Sequence, residues 1–260
     1  MSPWPVVFED EALLVLDKPA GLAVVAEPGA APGETLLESV RARHGAAVTN
    51  VHRPEAGASG LGVFAKDKPA QDFLSGQFQA KTVRQVWHAL VIVRADGAGA
   101  EFWPRDGARR VPDAFAMDWW IGQEVARPGV MQAFRRHGGQ PARTAFTVEE
   151  NFGAHALLRC EPESNRRHQL RVHLAAVGLP VLNDALYGLP DAPLLLSALK
   201  RGYKGGAAER PLIRQLALHA SGLTLAHPRT RAAVALAASL PEQFAIALKN
   251  LRKFARPARR

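Results

Sequence analysis

Hydrophobic positions along the chain fall into short β-rich runs and into longer segments with helical spacing. Runs rich in Val, Ile, Phe and Trp, bounded by turn residues, predict strands. They predict β-structure in five places: a hairpin over residues 5–19 around Asp10-Glu11, single strands at 60–65 and 83–93, and hairpins that turn at 151–153 and at 227–228.

Apolar residues three and four positions apart predict helices elsewhere. Thr35 and Glu38 fit a capping box at the start of one helix, and Asp67 is a candidate N-cap for another. The four predicted helices cover residues 35–45, 67–81, 166–178 and 241–254. Because strands and few helices interleave irregularly, the pattern predicts an α+β fold and not a regular βαβ array.

Residues 96–139 show no clean hydrophobic period. They combine Gly, Pro and Arg with aromatic residues that include Phe102, Trp103, Trp119 and Trp120. Two interpretations stay open here, an excursion across the surface and a pair of strands. We expect the tryptophans to serve local packing more than base stacking.

The composition favours a polyanionic partner. The chain has 260 residues, of which 47% are hydrophobic, and its formal net charge is +9. This charge places nucleic acid ahead of a membrane surface, although a basic surface also serves simple solubility. Cys160 is the single cysteine, which excludes an intrachain disulfide and suits the cytoplasm. Neither a signal peptide nor an apolar run of membrane-spanning length is evident.

Several kinds of catalytic site are excluded by spacing. Residues 57–61 are GASGL and lack the second glycine of a nucleophile elbow. No phosphate-binding loop of the G-x-x-x-x-G-K-[ST] type occurs, and His168 and His173 are five residues apart instead of the four that a zinc-protease helix needs. We therefore expect neither a metal nor a cofactor.

Two charged groups are candidates for chemistry. Arg167 and Arg171 lie one helical turn apart, so like charges share a face near a helix N-terminus. This face either holds an anion or is simply solvated. Glu55 stands between Arg53 and the small-residue turn at 57–60. Its carboxylate could act as a nucleophile or general base, but the residues alone favour an exposed loop position.

Six motifs occur in the same order in one known family. The chain resembles the RluA-type pseudouridine synthases over residues 5–245. The match includes a K-P-x-G turn, an H-R-x-x-x-x-x-S-G signature, the strand QVWHALV, the helix RxHQLRVHL, the segment GLPVLNDALYG and an L-x-L-H-A strand. These lie at Lys18–Gly21, His52–Gly60, Gln85–Val91, Arg166–Leu174, Gly178–Gly188 and Leu216–Ala220.

This resemblance implies a single α+β catalytic domain with a mixed, largely antiparallel sheet, flanking helices and a central basic cleft. The domain would cover residues 1–248, followed by a basic tail at 249–260. The family isomerises uridine to pseudouridine in ribosomal or transfer RNA without metal or cofactor, and the target nucleotide leaves its stack to reach the cleft. We expect a monomer with RNA as partner.

The departures from the family pattern lie at its chemical centre. Glu55 stands where the family has its catalytic Asp, and Trp87 replaces the active-site Tyr. Arg166, the expected partner of the carboxylate, is retained. The resemblance thus implies Glu55, Arg166 and Trp87 as catalytic residues. It implies a set of RNA-binding residues at Lys18, His52, Arg53, Arg167, His168 and Arg171.

Three hypotheses remain. The first is an active pseudouridine synthase that uses Glu55, with Trp87 as a stacking platform. The second is an RNA-binding protein that has kept the fold without the catalysis. The third is a basic α+β domain with an unrelated protein or small-molecule partner, which the retained motif set disfavours.

Overall fold

The structure is a computed structural model that describes residues 4–26, 35–94, 111–189, 192–206 and 208–255. The predictions for Phe102, Trp103 and residues 256–260 lie outside these ranges. Contacts divide the chain into two compact units. Unit 1 comprises Met1–Trp87 and His219–Leu240, and unit 2 comprises His88–Leu218 and Pro241–Arg260.

The described residues form eleven strands and five helices. In chain order they are β1 Val6–Glu9, β2 Leu13–Lys18, α1 Leu36–His44, β3 Thr49–His52, β4 Ser59–Ala65, α2 Lys68–Gln79, β5 Arg84–Ile92, β6 Ala114–Gln123, β7 Met131–Phe134, β8 Gln140–Asn151, β9 His155–Pro162, α3 Gln169–Ala176, α4 Leu196–Leu199, β10 Leu218–Ala226, β11 Ala233–Ala237 and α5 Glu242–Phe254.

Unit 1 is built around β4, which is buried over all seven of its residues. Antiparallel pairing joins β4 to β2 and to β3, and β1 continues the sheet beyond β2. The other neighbour of β4 is β10, which runs parallel to it and pairs antiparallel with β11. At the start of β4 the backbone of β10 comes so close that residue 60 must be glycine.

Both helices of unit 1 begin as their sequences predict. Thr35 and Glu38 form the reciprocal capping box of α1, and Asp67 accepts a hydrogen bond from the Ala70 amide at the start of α2. Leu36, Leu37 and Val40 of α1 pack on Leu14, Leu16 and Phe64 of the sheet. Burial of this apolar face stabilises a helix that is too short to persist alone.

Unit 2 contains an antiparallel sheet in the order β5–β9–β8–β6–β7, which β5 enters at His88. Three helices, α3, α4 and α5, belong to the same unit. Phe244, Leu248 and Leu251 on one face of α5 are buried. The chain around residues 114–134 therefore forms the strand pair β6–β7, one of the two interpretations left open.

The predicted α+β class with a mixed, largely antiparallel sheet is confirmed. Helix α3 begins at Gln169, three residues later than Arg166, because His168 adopts a left-handed backbone with φ of 56°. Helix α5 continues to Phe254, so the first residues of the predicted tail are helical. Strand β3 and helix α4 were not predicted, since four residues are too few to show a period. Every helix within the described ranges is too short or too polar to cross a bilayer.

Candidate active site

Glu55 lies half-buried in a turn between β3 and β4 of unit 1. The Ala58 amide donates to the Glu55 carbonyl at 3.1 Å and closes the turn. Pro54 beside it is buried, whereas Arg53 is exposed. Glu55 therefore lies in a loop, as the residues alone favoured, but it is half-buried instead of exposed and its turn is closed by a hydrogen bond.

The ammonium of Lys18 fixes this turn by hydrogen bonds to its backbone carbonyls. It donates to four carbonyl oxygens, those of Pro19, Leu22, Ala56 and Ala58, at 2.9, 2.9, 3.2 and 2.5 Å. The Gly21 amide also donates to the Ala56 carbonyl, at 2.7 Å. The K-P-x-G turn is thereby fastened to the Glu55 turn.

Lys18 has no exposed surface. Burial lowers the pKa of its ammonium to about 8, against the attraction of Asp17 and Glu55, which raises it. Each donor of this side chain already faces backbone oxygen. The geometry therefore favours Lys18 as a residue that positions Glu55, and not as the RNA contact that the family pattern implies.

Gly60 permits a close approach of two strands just after the turn. Its φ is 104°, and a Cβ there would lie 2.3 Å from the carbonyl oxygen of Ala220 in β10. Ser59 beside it shares a hydrogen bond of 2.9 Å with the Nδ1 of His219. His219 is fully buried in β10.

His52 and Trp87 form one aromatic cluster in unit 1. The imidazole of His52 stacks on Phe78 with centroids 5.4 Å apart and meets Trp87 edge-on at 6.0 Å. Its Nδ1 lies 3.2 Å from the Leu61 carbonyl, and burial lowers its pKa to about 4. The ring is thus neutral at pH 7 and packed, which argues against a direct role in RNA binding.

Trp87 is 8% exposed, and its indole N–H points at the Oε1 of Gln85 at 3.4 Å. Gln85 also hydrogen-bonds to His52. The amide oxygen of Gln85 thus satisfies a buried indole N–H, which a lysine side chain could not do because it has no acceptor.

In unit 2, Gln169 fixes the loop that carries Arg166. Its Oε1 accepts from the Arg166 amide at 3.0 Å and from the Ser164 hydroxyl at 2.9 Å, while its Nε2 donates to the Arg143 carbonyl at 3.0 Å. Arg166 itself is half-buried and donates from Nε to the Pro141 carbonyl at 3.2 Å. Arg167 is exposed.

Arg171 is buried in an ion pair with Asp184 in the same unit. Its Nε and Nη2 atoms donate to the two carboxylate oxygens of Asp184 at 2.7 and 2.6 Å. The guanidinium also lies 5.1 Å from the ring centroid of Tyr187. This ion pair anchors α3 to the segment at 183–188. The positive charge of Arg171 is compensated by the carboxylate of Asp184.

Tyr187 links this ion pair to two more elements. Its hydroxyl lies 2.7 Å from the Nδ1 of His168 and accepts from the Met131 amide at 2.8 Å. Burial, followed by the charges of Arg171 and Arg167, lowers the pKa of His168 to about 4. His168 is therefore neutral at pH 7. Of the basic residues assigned to RNA, Arg53 and Arg167 are the exposed ones.

The structure brings Lys18, His52, Arg53, Glu55 and Trp87 together in unit 1, and it groups the four residues of the helix motif in unit 2. The pairing of Glu55 with Arg166 would join the two units and stays a prediction. Gln169 and Tyr187 were missed as positioning residues, although both lie within motifs of the family pattern. Across the described parts of the chain, no cluster of His, Cys, Asp or Glu could hold a metal ion.

Comparison with known proteins identifies similar chains. The sequence model of the family described as RNA pseudouridylate synthase matches residues 12–176. The chain is 33% identical to "Ribosomal large subunit pseudouridine synthase D" of Nitrosomonas europaea, over 96% of this chain and 66% of that protein. It is 32% identical to "Dual-specificity RNA pseudouridine synthase RluA" of Vibrio vulnificus, over 88% and 80%.

Solved structures are similar as well. The fold matches "Human RNA Pseudouridylate Synthase Domain Containing 4" with a TM-score of 0.67, 23% identity and coverage of 95% of this chain and 93% of the other. At this identity the likeness concerns the fold. The chain spans 61% of the length of the synthase D proteins from Neisseria meningitidis, so under two thirds of those relatives is represented here.

Proposed function

Because this chain belongs to the RNA pseudouridylate synthase family and is of the RluA type, we propose that it isomerises uridine to pseudouridine in RNA with the Glu55 carboxylate at the reacting nucleotide. In this reaction the N1–C1′ bond breaks, the base turns over, and C5 bonds to C1′. The proton leaves C5, and N1 gains one, so that the product is an isomer. No external oxidant or reductant is needed.

The observation that carries this proposal is the fixed turn of Glu55. Lys18, the Gly21 amide and the Ala58 amide all hold its backbone. Catalytic groups need placement within about 0.5 Å, and a loosely held glutamate would not meet this demand.

Glutamate instead of aspartate extends the carboxylate by one C–C bond, about 1.5 Å. Pro54 fixes its own φ and restricts Arg53, which can re-aim the turn to compensate for the longer side chain. We propose that Arg166 orients the carboxylate.

Trp87 cannot replace the proton chemistry of a tyrosine, because its indole carries no hydroxyl. With 8% of its surface exposed, it leaves little surface on which a base could stack. We propose that Trp87 packs beside the base and limits its position. Water or another group receives the C5 proton.

The substrate that we propose is RNA of the large ribosomal subunit, the class named in six similar proteins from Nitrosomonas, Neisseria, Xanthomonas, Pseudomonas and Xylella. The net charge of +9 suits such a polyanion. Arg53 and Arg167 are exposed cations that can contact its phosphates, whereas Lys18, His52, His168 and Arg171 position other groups.

The test is to incubate the protein with unmodified ribosomal and transfer RNA and to map pseudouridine. Release of tritium from C5-labelled uridine reports the same reaction. Glu55→Gln should abolish both signals, and Glu11→Gln, an exposed glutamate in the hairpin β1–β2, should leave them unchanged. Product that persists in Glu55→Gln would contradict the role of this carboxylate.

RNA binding without catalysis is the second candidate. The enclosed Trp87, which replaces a hydroxyl-bearing residue of the family, favours it. Wild type that binds RNA in a salt-sensitive manner but forms no product would support this candidate. A gain of activity in Glu55→Asp with Trp87→Tyr would then indicate a catalytic site that has decayed.

A further inference from the structure

A groove lies in unit 1, at the opposite end of β10 from His219. It has a volume of about 380 Å³ and is lined by Phe73, Gln77, Thr82, Arg84, Thr224, Leu225, Ala226 and Ala233. His219 and Ala226 stand at the two ends of β10, about 23 Å apart at the usual rise of a strand. The groove is therefore separate from the Glu55 turn, which adjoins His219 through Ser59.

The floor of this groove is fixed before any ligand binds. Gln77 of α2 donates to the Ala226 carbonyl at 2.9 Å and accepts from the Ala226 amide at 2.7 Å. The Thr82 amide donates to the Gln77 carbonyl at 3.0 Å. These bonds fasten the end of β10 and the segment before β5 to one helix, so the groove needs little rearrangement to accept a ligand.

Two arginines give the groove a positive rim. Arg84 is exposed at the start of β5, and the guanidinium of Arg231 lies 3.7 Å from the ring centroid of Phe73. Neither has a carboxylate partner among the described residues. Their neighbours differ in this respect, because Arg229 is paired with Asp67 and Lys68 with Asp72.

We propose that this groove binds one nucleotide of the RNA, with its phosphate between Arg84 and Arg231, at a distance from the uridine that reacts. The inference rests on the proposed function for the nature of the partner. Guanidinium groups bind phosphate oxygens through paired hydrogen bonds. The hydroxyl of Thr224 can contact a phosphate or ribose, and Phe73 and Leu225 offer apolar surface to the base or sugar.

RNA fits this groove better than an acidic peptide does. A carboxylate side chain would contact only the two arginines. A nucleotide would contact the arginines through its phosphate and the apolar surface of Phe73 and Leu225 through its base or sugar. The volume lies at the small end of ligand pockets, which suits a single nucleotide. The whole chain also carries +9, as expected for a polyanion contacted at several separate places.

The test measures binding of a fluorescein-labelled stem-loop RNA by anisotropy over a series of salt concentrations. Arg84→Gln and Arg231→Gln should each weaken binding about fivefold at physiological salt and lower the slope of log K against log salt by about 1. The matched control is Arg43→Gln, which removes an exposed arginine of α1 and should change binding less than about twofold.

Three results would overturn the inference. Equal losses of RNA affinity in Arg84→Gln, Arg231→Gln and the control Arg43→Gln would indicate a general charge effect. Unchanged RNA binding in Arg84→Gln and Arg231→Gln would exclude the groove as a binding site. Binding of poly-glutamate that depends on Arg84 and Arg231, while RNA binding does not, would assign the groove to an acidic protein. Circular dichroism of each variant checks that the fold is retained.

Pseudouridine formation by wild type is measured on the same preparations. If product forms but Arg84→Gln binds RNA as wild type does, the groove proposal alone fails. If no product forms and RNA binding still depends on Arg84 and Arg231, the proposed function fails and the groove proposal stands.

Discussion

Lys18 shows how one buried cation can set the geometry of a candidate catalytic turn. Its ammonium has lost all contact with water and is surrounded by four carbonyl oxygens instead. A charge in such a place is tolerated only because its donors are satisfied and because Asp17 and Glu55 lie near. The same side chain therefore contributes to stability and to the position of Glu55.

Replacing Lys18 by Met should destabilise the protein at pH 7 by about 3 kcal/mol. The apolar side chain fills a similar volume but leaves the carbonyls of Ala56 and Ala58 without a donor. Urea unfolding followed by circular dichroism measures the change. Lys66→Met, which removes a surface ion pair with Glu9, serves as control and should cost less than about 1 kcal/mol.

The stability of the wild type should also depend on pH through Lys18. The pKa is about 8 in the folded protein and about 10.4 in an unfolded chain. Between these values the unfolded chain binds a proton that the folded protein lacks, so the free energy of unfolding rises with pH. Relative to Lys18→Met, wild type should gain about 1.5 kcal/mol from pH 8 to 9.5. A flat difference across this range would show that Lys18 stays protonated.

At the scale of elements, the parallel pair β4 and β10 determines how the Glu55 turn enters the sheet. Gly60 pairs with Ala220, and Ser59 pairs with His219. The two backbones come so close that a Cβ on residue 60 has no room. The short side chains at the start of β4 are therefore a requirement of strand pairing.

Gly60→Ala should cost more stability than Gly21→Ala, although both glycines have positive φ. At Gly21, with φ of 89°, nothing lies within 4 Å of an added Cβ, so only the backbone strain of about 1–2 kcal/mol applies. At Gly60 the contact with Ala220 adds to that strain, and we expect about 3 kcal/mol or more. Thermal unfolding of the two variants makes the comparison, and equal losses would contradict it.

Helix α3 depends on the ion pair of Arg171 with Asp184. Asp184→Ala should destabilise by about 3–5 kcal/mol, because it leaves a buried guanidinium unpaired. Asp184→Asn should cost less, because its amide oxygen can still accept from the amides of Leu186 and Tyr187, as Oδ1 does at 2.9 and 3.1 Å. Urea unfolding ranks the two variants, and the reverse order would show that the backbone bonds contribute little.

The elements were largely predictable because their signals are local. The capping box at Thr35 and Glu38, the N-cap at Asp67 and the buried run of β4 are each specified within a few neighbouring residues. The α+β class followed from their order. Strand β3 was missed because its burial depends on pairing with β4, which is a contact distant in sequence.

Motif order proposes Glu55, Trp87 and Arg166 as catalytic residues, and these stay predictions. It also assigns Lys18 and Arg171 to RNA, but it could not show that both side chains are buried, because sequence shows the charge and not the burial. Their saturating partners, the Ala56 and Ala58 carbonyls and Asp184, lie 38, 40 and 13 residues away. The Gln85 contact with Trp87 was equally invisible, since a strand places alternate residues on one face without showing which groups meet.

At the scale of the whole molecule, chain connectivity divides each unit into two segments. Unit 1 needs β10 and β11 from residues 219–240, and unit 2 needs α5 from residues beyond 240. Neither unit can therefore be isolated by a single cut that leaves it intact. Basic charge is also spread along the chain, with a net +9, so the proposed binding of RNA should weaken steeply as the salt concentration rises.

Truncation after Leu240 should unfold unit 2 by removing α5. The helix buries Phe244, Ala247, Leu248 and Leu251, and burial of its three large side chains contributes about 6 kcal/mol, comparable to the whole stability of a domain.

Cys160 in β9 reports the unfolding of unit 2, because burial raises the pKa of its thiol and shields it from solvent. Its reaction with a thiol reagent should be slow in the full chain and fast in the truncated one, whereas a chain that ends after Ala255 keeps α5 and should protect the thiol. A protected thiol after truncation at Leu240 would show that the sheet of unit 2 holds without α5.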